Sequence, residues 1–533
     1  LTTTGTQRFF RLLPLIVLLW GFLLLRVLNI GAWLAFFVDE MHHMDRARHV
    51  LEFSDLQTST TPGKLLLYYY LAPFGLPANF PGWVGRAAVA LFSLVGAAGT
   101  YALTRRLFAS HRAGLLAVVV LAVFPFMLFH ERMVLSDPLA AVFVVLVAWW
   151  GVVVAQKPTL TRAAILGVLV VFMLLAKIVA GPLLVLPFMA VALLSPRPIQ
   201  WRDNLMSQFT RLWQDYQPFI LRAAFIILAV WIPIMAFYVG RGLLSPAETD
   251  PIVVDYIYAG VSPDYDDSTP QVVQRNLDHI GEMFATLWGL LLIVPTVAGG
   301  AYLLWRRPQV ALYLLVGIAL YWGVLAVVNA RPNSRYFTLV GHLWVVLVAG
   351  GVWSLWRESS RAGGVWRVAG VLPLVSLTAW VALYGLPFAL QMQQNATDLP
   401  LPAAEENGYF RNFTGYALTD AIYEVEAQPA ISQGEDEPLA YLAVRRCDYV
   451  PYHIPSDTDV QFICNRDANG AFTADILEAA ARYGALYIIR EDFPHFELDH
   501  NRLNLTLLER FQRPRDGTWV EVYRVDGAGV AGR

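Results

Sequence analysis

The chain is dominated by long apolar runs separated by short polar interruptions. A helix needs about 20 apolar residues to cross a hydrocarbon core of roughly 30 Å. In lipid, every backbone N–H and C=O must be paired within the protein, which favours helices. Runs of this kind lie at 12–30, 84–104, 113–129, 138–155, 162–176, 179–194, 219–239, 283–303, 310–328, 337–355 and 368–388. The pattern predicts a mainly α, polytopic helical membrane protein of about eleven spans. The first run exceeds the roughly 7–15 apolar residues of a signal-peptide core and reads as a retained anchor.

Past residue 389 the runs shorten and charges become frequent, which divides the chain into a membrane domain, 1–388, and a soluble domain, 389–533. Residues 416–427 predict a helix with Thr419 or Asp420 near its start. Residues 439–444, 485–491 and 519–525 read as strands, and 474–483 as an amphipathic helix closed by Gly484. Helices alternating with apolar strands predict a small α/β sandwich.

Composition agrees with the pattern. The chain is 57% hydrophobic and 15% charged, against roughly 25% charged in a soluble domain. The formal net charge of −2 gives no reason to expect a nucleic-acid partner. Position matters more than sum, because basic residues accumulate in cytoplasmic loops. Arg8 and Arg11 precede the first run. Every second loop then carries Arg105/Arg106, Lys157/Arg162, Arg197/Arg202/Arg211, Arg306/Arg307 and Arg357/Arg361/Arg367. The N-terminus is therefore expected in the cytoplasm of a cell bounded by this plasma or inner membrane. An odd number of spans puts the C-terminal domain outside. On that outer side, residues 39–52 suit a helix lying flat on the membrane.

The only cysteines, Cys447 and Cys464, both fall in the C-terminal domain. Outside the cytoplasm they are either a disulfide or two buried thiols. Asn395, Asn412 and Asn504 head N-x-[ST] sequons, short patterns that also arise by chance.

The chemistry gathers in the outer loops. Asp39 and Glu40 follow the apolar run WLAFFV, where partial desolvation of a carboxylate suits a general base. Asp137 opens a span after Glu131 and Arg132. Each acid reads equally as a helix cap or a solvated residue. Arg26, Lys177, Arg331 and Arg335 stand near the outer face, a placement the positive-inside rule disfavours. A phosphate headgroup would supply a reason, since guanidinium binds it bidentately. Pairing with carboxylates or snorkelling would supply another. His42, His43, Asp45 and His49 form either a polar helix face or a site for a divalent metal.

These residues, in order, resemble the GT-C glycosyltransferases, and within them the protein O-mannosyltransferase and aminoarabinose transferase branch. Arg26 leading to Asp39 and Glu40 is similar to that branch's first-loop signature. TPGKLLLYYYLAPFG at 61–75, Arg86, TRRLF at 104–108, Pro125 with ERMVLSDPL at 131–139, LLAKIVAGPLLVLP at 174–187 and Arg335-Tyr336-Phe337 follow. The resemblance covers roughly 10–355. It departs from the family pattern at Pro62-Gly63 and at Lys177, whose Gly comes only at Gly181. The C-terminal domain carries no motif of the family.

The resemblance implies transfer of a sugar from a polyprenyl-phosphate donor, with inversion, to a glycan, lipid or protein acceptor. Asp39 would be the base. Arg335, Lys177 and Arg331, with Arg26 and Arg86, would hold the donor phosphate. Glu40 and Asp137 would position the acceptor or Lys177, and Glu131 and Tyr336 the sugar or acceptor. No cofactor is required if basic side chains stabilise the leaving group; a divalent metal is the alternative. The competing classes are a lipid-linked sugar transporter or flippase, which tends to bind at the bilayer midplane, and a noncatalytic membrane scaffold.

Overall fold

The structure, a computed structural model, describes residues 5–32, 34–50, 64–74, 82–200, 204–244, 269–327, 333–362, 364–410, 414–428, 439–444, 450, 454, 460–464, 480, 484–492, 498, 503–515 and 517–526. The chain forms two compact units. One comprises Leu1–Gly31, Arg46–Leu76 and Trp83–Pro402; the other comprises Ala32–Asp45, Pro77–Gly82 and Ala403–Arg533. The division by packing falls after Pro402, downstream of the compositional change at 389.

In the first unit each apolar run lies mainly on helix. Among the described residues, six helices are long and apolar enough to cross a membrane: Gly82–Phe108, Ser136–Gln156, Leu205–Phe237, Pro308–Val327, Ser334–Ala362 and Arg367–Gln394. The pair Pro270–Trp288 and Ile293–Arg306, bent by 107°, makes a seventh if joined. The remaining runs fall on the shorter apolar helices Leu12–Val27, His111–Ala122, Leu160–Ala176 and Ile178–Leu194.

Local sequence sets the boundaries. Ser110 and Thr159 are N-caps whose hydroxyls accept from the amides of Ala113 and Arg162, each at 3.2 Å, satisfying donors the first turn leaves open. The helix Leu160–Ala176 stops at Lys177, whose backbone is extended, and a 3-10 turn Ile178–Leu184 containing Pro182 follows. Proline removes a donor and interrupts the regular ladder.

The helices Ser136–Gln156 and Ser334–Ala362 are the most buried of the six and pack against each other. Gly351 approaches Gly299 so closely that a Cβ there would meet its backbone at 2.8 Å, the small-residue contact that lets membrane helices touch. The long helix Leu205–Leu244 instead exposes Leu221, Phe225, Leu228 and Ile232.

Charge collects at the two ends of this unit. At one, Arg306 pairs with Glu358 at 2.5 Å, Arg307 donates to the Leu107 carbonyl at 3.5 Å, and Arg162 donates to the Lys157 carbonyl at 2.6 Å. At the other stand Arg26, Glu131, Asp137, Lys177 and Arg335.

The second unit holds a five-stranded sheet of order β2-β1-β3-β5-β4, with β1 Leu439–Ala443, β2 Gln461–Cys464, β3 Tyr487–Glu491, β4 Leu505–Gln512 and β5 Trp519–Val525. β1 pairs parallel with β2 and β3, whereas β5 pairs antiparallel with β3 and β4. One cluster on the sheet includes Leu439, Tyr441, Ile488, Leu503 and Tyr523. The helix Leu418–Ala427 packs on β3, β4 and β5 and buries Leu418, Ala421, Ile422 and Val425, a stripe of helical period. Of the expected helix 474–483, all but Ala480 lies outside the described residues; Gly484 has φ +70°. Cys464 is disulfide-bonded. Cys447, the only other cysteine of the chain, lies outside the described residues, as do Asn412 and Arg331.

Candidate active site

In the helical unit, Asp137 lies in the first turn of Ser136–Gln156, where a helix favours negative charge. Lys177, at the break after Leu160–Ala176, brings its Nζ to 2.5 Å from the Asp137 carboxylate. Both are buried, with 7% of Lys177 and 1% of Asp137 exposed. The same ammonium stands 4.5 Å from the centre of the Tyr336 ring, and the Arg335 guanidinium stands 5.4 Å from it. Cations are drawn to an aromatic face.

Arg335 and Tyr336 belong to the first turn of Ser334–Ala362. That position is unfavourable for a cation, since the helix N-terminus is itself positive. Two cations and a helix N-terminus thus meet around Tyr336, beside the Asp137 carboxylate. The setting suits a bound anion.

Three further residues belong to this cluster and were not singled out from sequence. The His130 Nε2 lies 2.8 Å from Ser334 Oγ, and the charges of Asp137, Arg335 and Lys177 bear on its ring. Tyr321 is fully buried beside Asp137 and Tyr336. The only signal for His130 was its place directly before Glu131. Ser334 and Tyr321 carried none.

Arg26, Arg86, Glu131 and Arg132 are completely buried together. Arg26 pairs with Glu131 at 2.5 Å and donates to the carbonyls of Phe22, Ala122 and Leu121. Its guanidinium lies 3.3 Å from the centre of the Phe22 ring. Arg132 donates to the carbonyls of Leu25 at 2.9 Å and Leu28 at 2.7 Å, and Arg86 to that of Ile30 at 3.5 Å. These guanidiniums reach carbonyls at the ends of Leu12–Val27 and His111–Ala122, where helix carbonyls are left open. The arrangement suits a clamp on the chain better than a phosphate site.

In the second unit, Asp39 and Glu40 open the helix Val38–His49. Glu40 is buried, and its carboxylate accepts from the Phe37 amide at 3.0 Å. This is the return half of a capping box, which fixes the helix start. Asp39 is half-buried in the same first turn. Further along, His43 is buried while Asp45 is exposed. Among the described residues no three His, Cys, Asp or Glu side chains are grouped to hold a metal.

Against known proteins, residues 65–234 match the family model described as dolichyl-phosphate-mannose-protein mannosyltransferase. The fold is similar to that of ArnT from Cupriavidus metallidurans bound to undecaprenyl phosphate. The identity is 15% and the TM-score 0.57, over 97% of this chain and 99% of that one. The apo state of the same protein matches at 14% identity and a TM-score of 0.56, over 99% and 100%. The oligosaccharyltransferase of Archaeoglobus fulgidus, tethered to an acceptor peptide, matches at 14% and 0.50, over 92% and 70%. No curated protein sequence matches the chain. The chain is an integral membrane protein with a fold similar to that of ArnT. Within that fold, residues 65–234 carry the mannosyltransferase family match.

Proposed function

We propose that the protein transfers a sugar from a polyprenyl-phosphate donor to an acceptor at the outer face of the membrane, with inversion at the anomeric carbon. The observation that supports this most is the gathering of cationic groups around Tyr336: Lys177, which pairs with Asp137, Arg335, and the start of Ser334–Ala362. The family match at 65–234 points the same way.

Asp39 takes the proton of the acceptor hydroxyl, whose oxygen attacks the anomeric carbon. The bond from that carbon to the phosphate oxygen breaks, and its electron pair leaves with the polyprenyl phosphate. Lys177 and Arg335 stabilise the charge that develops on the phosphate. Arg331 belongs to the same proposal. Asp137 orients Lys177, Glu40 fixes the first turn that carries Asp39, and Tyr336 orients the two cations. Arg26, Arg86 and Glu131 are reassigned to holding the chain around the site. No step calls on a metal. A transporter or flippase is less favoured, because the charged cluster stands at helix ends; a scaffold would give the buried cluster no ligand.

The test is purified full-length protein given undecaprenyl-phosphate mannose or aminoarabinose, with released undecaprenyl phosphate as the readout. Asp39→Asn should lower transfer about 10²–10⁴-fold, the usual contribution of a general base, with near-normal binding of undecaprenyl phosphate. Arg335→Ala should weaken that binding about 10–100-fold, the scale of a hydrogen bond to a charged group. An Asp39→Asn variant that transfers at the wild-type rate removes Asp39 from the reaction.

A further inference from the structure

Asp39 stands two residues after Phe37, and Phe37 sets the geometry of the first turn. The Phe37 carbonyl accepts from the amides of Glu40 at 2.9 Å and Met41 at 3.4 Å, and its amide donates to the Glu40 carboxylate at 3.0 Å. Whatever fixes Phe37 therefore fixes the direction in which Asp39 leaves the helix.

Phe37 is fixed by residues far along the chain. It forms an isolated antiparallel β-bridge with Thr414, and the Gly415 amide donates to the Phe36 carbonyl at 3.1 Å. The Phe37 ring packs on Tyr409, centre to centre 5.2 Å at 47°. A Cβ on Gly408 would touch that ring at 3.7 Å. Tyr409 and Thr414 are themselves buried, at 4% and 1% exposure. Phe36 is wedged on its other side, where its ring fills the space a Cβ on Gly82 would need. All of these residues belong to the second unit.

We propose that Tyr409, the Thr414–Gly415 backbone and Gly82 are positioning residues that hold Asp39 in its reactive direction. The proposal rests on the reading of Asp39 as the base. It gives the C-terminal region a part in the chemistry although none of its own side chains need touch the substrate. Displacement of a reacting group by about 1 Å can cost on the order of 100-fold in rate, so a contact of this kind affects turnover without affecting donor binding.

The experiment uses full-length protein in lipid nanodiscs and compares Tyr409→Ala, Tyr409→Phe, Gly82→Ala and Asp39→Asn with wild type. Amide hydrogen exchange across 36–41 reports how firmly the turn is held, independently of any substrate. Release of undecaprenyl phosphate from the two donors gives kcat and KM. Tyr409→Ala should speed exchange across 36–41 and lower kcat about 10–100-fold, with the donor KM within about twofold. Tyr409→Phe, which keeps the ring, should restore both. Gly82→Ala should reproduce both effects from the opposite side by displacing Phe36.

Unchanged exchange in Tyr409→Ala and Gly82→Ala overturns the proposal, as does faster exchange with an unchanged kcat. Wild-type transfer by Asp39→Asn has a different meaning. It removes the base assignment, while the exchange data still decide whether Tyr409 and Gly82 hold the turn.

Discussion

Arg335 occupies a position in its helix where a cation is least stable, and it stands in a cluster where Lys177 adds a second charge of the same sign. Asp137 pairs with Lys177. The pair Lys177–Asp137 is buried, and removing one partner of such a pair typically costs about 3–5 kcal/mol because the other charge is left uncompensated. Lys177→Met should therefore destabilise the protein by that order and weaken undecaprenyl phosphate binding. The double variant Lys177→Met with Asp137→Asn should regain most of the stability but not the binding. Thermal unfolding in detergent and a phosphate-lipid titration separate the two effects; a double variant as unstable as the single one would count against the pairing. The sequence marked Arg26, like Lys177, Arg331 and Arg335, as a misplaced cation in want of an anion, and the resemblance added Arg86. The sequence could not distinguish them, because the partners of Arg26 and Arg132 are chiefly backbone carbonyls, several from distant helices. Hydropathy says nothing about which carbonyls a helix end leaves open.

Among the elements, those with a strong local signal were legible. The runs at 113–129 and 162–176 announce helices, which Ser110 and Thr159 cap, and the apolar runs of β1, β3 and β5 announce buried strands. β2 and β4 escaped notice because they are the two edges of the sheet. β4 is largely exposed and carries Glu509 and Arg510 among its apolar residues, so neither an apolar run nor a clean alternation marks it. The helix after Phe37 was read at 39–52, but the bridge that anchors its start was hidden, since Thr414 is remote in sequence. The sheet also carries a pH dependence of its own. Glu521 on β5 pairs with Arg490 on β3 at 3.1 Å and with Arg510 on β4 at 2.5 Å. Burial alone would raise its carboxyl, but hydrogen bonds from Tyr523 and Arg510 and the charges of Arg510 and Arg490 hold it below the usual value. A depressed carboxylate stabilises the fold above its unfolded pKa and loses that contribution as pH falls through the folded one. Acidification below about 4.5 should thus loosen β3, β4 and β5. Glu521→Gln should be less stable at neutral pH and less sensitive to acid. Exchange of the β3 and β5 amides between neutral and acid pH checks this; equal acid sensitivity in both proteins would exclude Glu521 as the cause.

Across the whole molecule, the apolar runs and the alternation of arginine clusters were the most legible features, because both follow directly from the solvent each segment meets. The helix ends bearing Arg162, Arg306 and Arg307 are expected in the cytoplasm, and the C-terminal sheet outside. A cysteine placed at Thr518 should then react with a membrane-impermeant label in intact cells; protection there, with reaction only after lysis, would reverse the orientation. What the runs could not reveal is that 32–45 and 77–82 fold with the residues after 402. Composition follows solvent, whereas this grouping follows contact, including the Phe37–Thr414 bridge. One practical consequence concerns recombination between related proteins. A chimera that exchanges only the C-terminal segment would leave Phe36 and Phe37 facing a foreign Tyr409 and Thr414 position. The inheritable module is three separate stretches, and a working graft must carry all of them together.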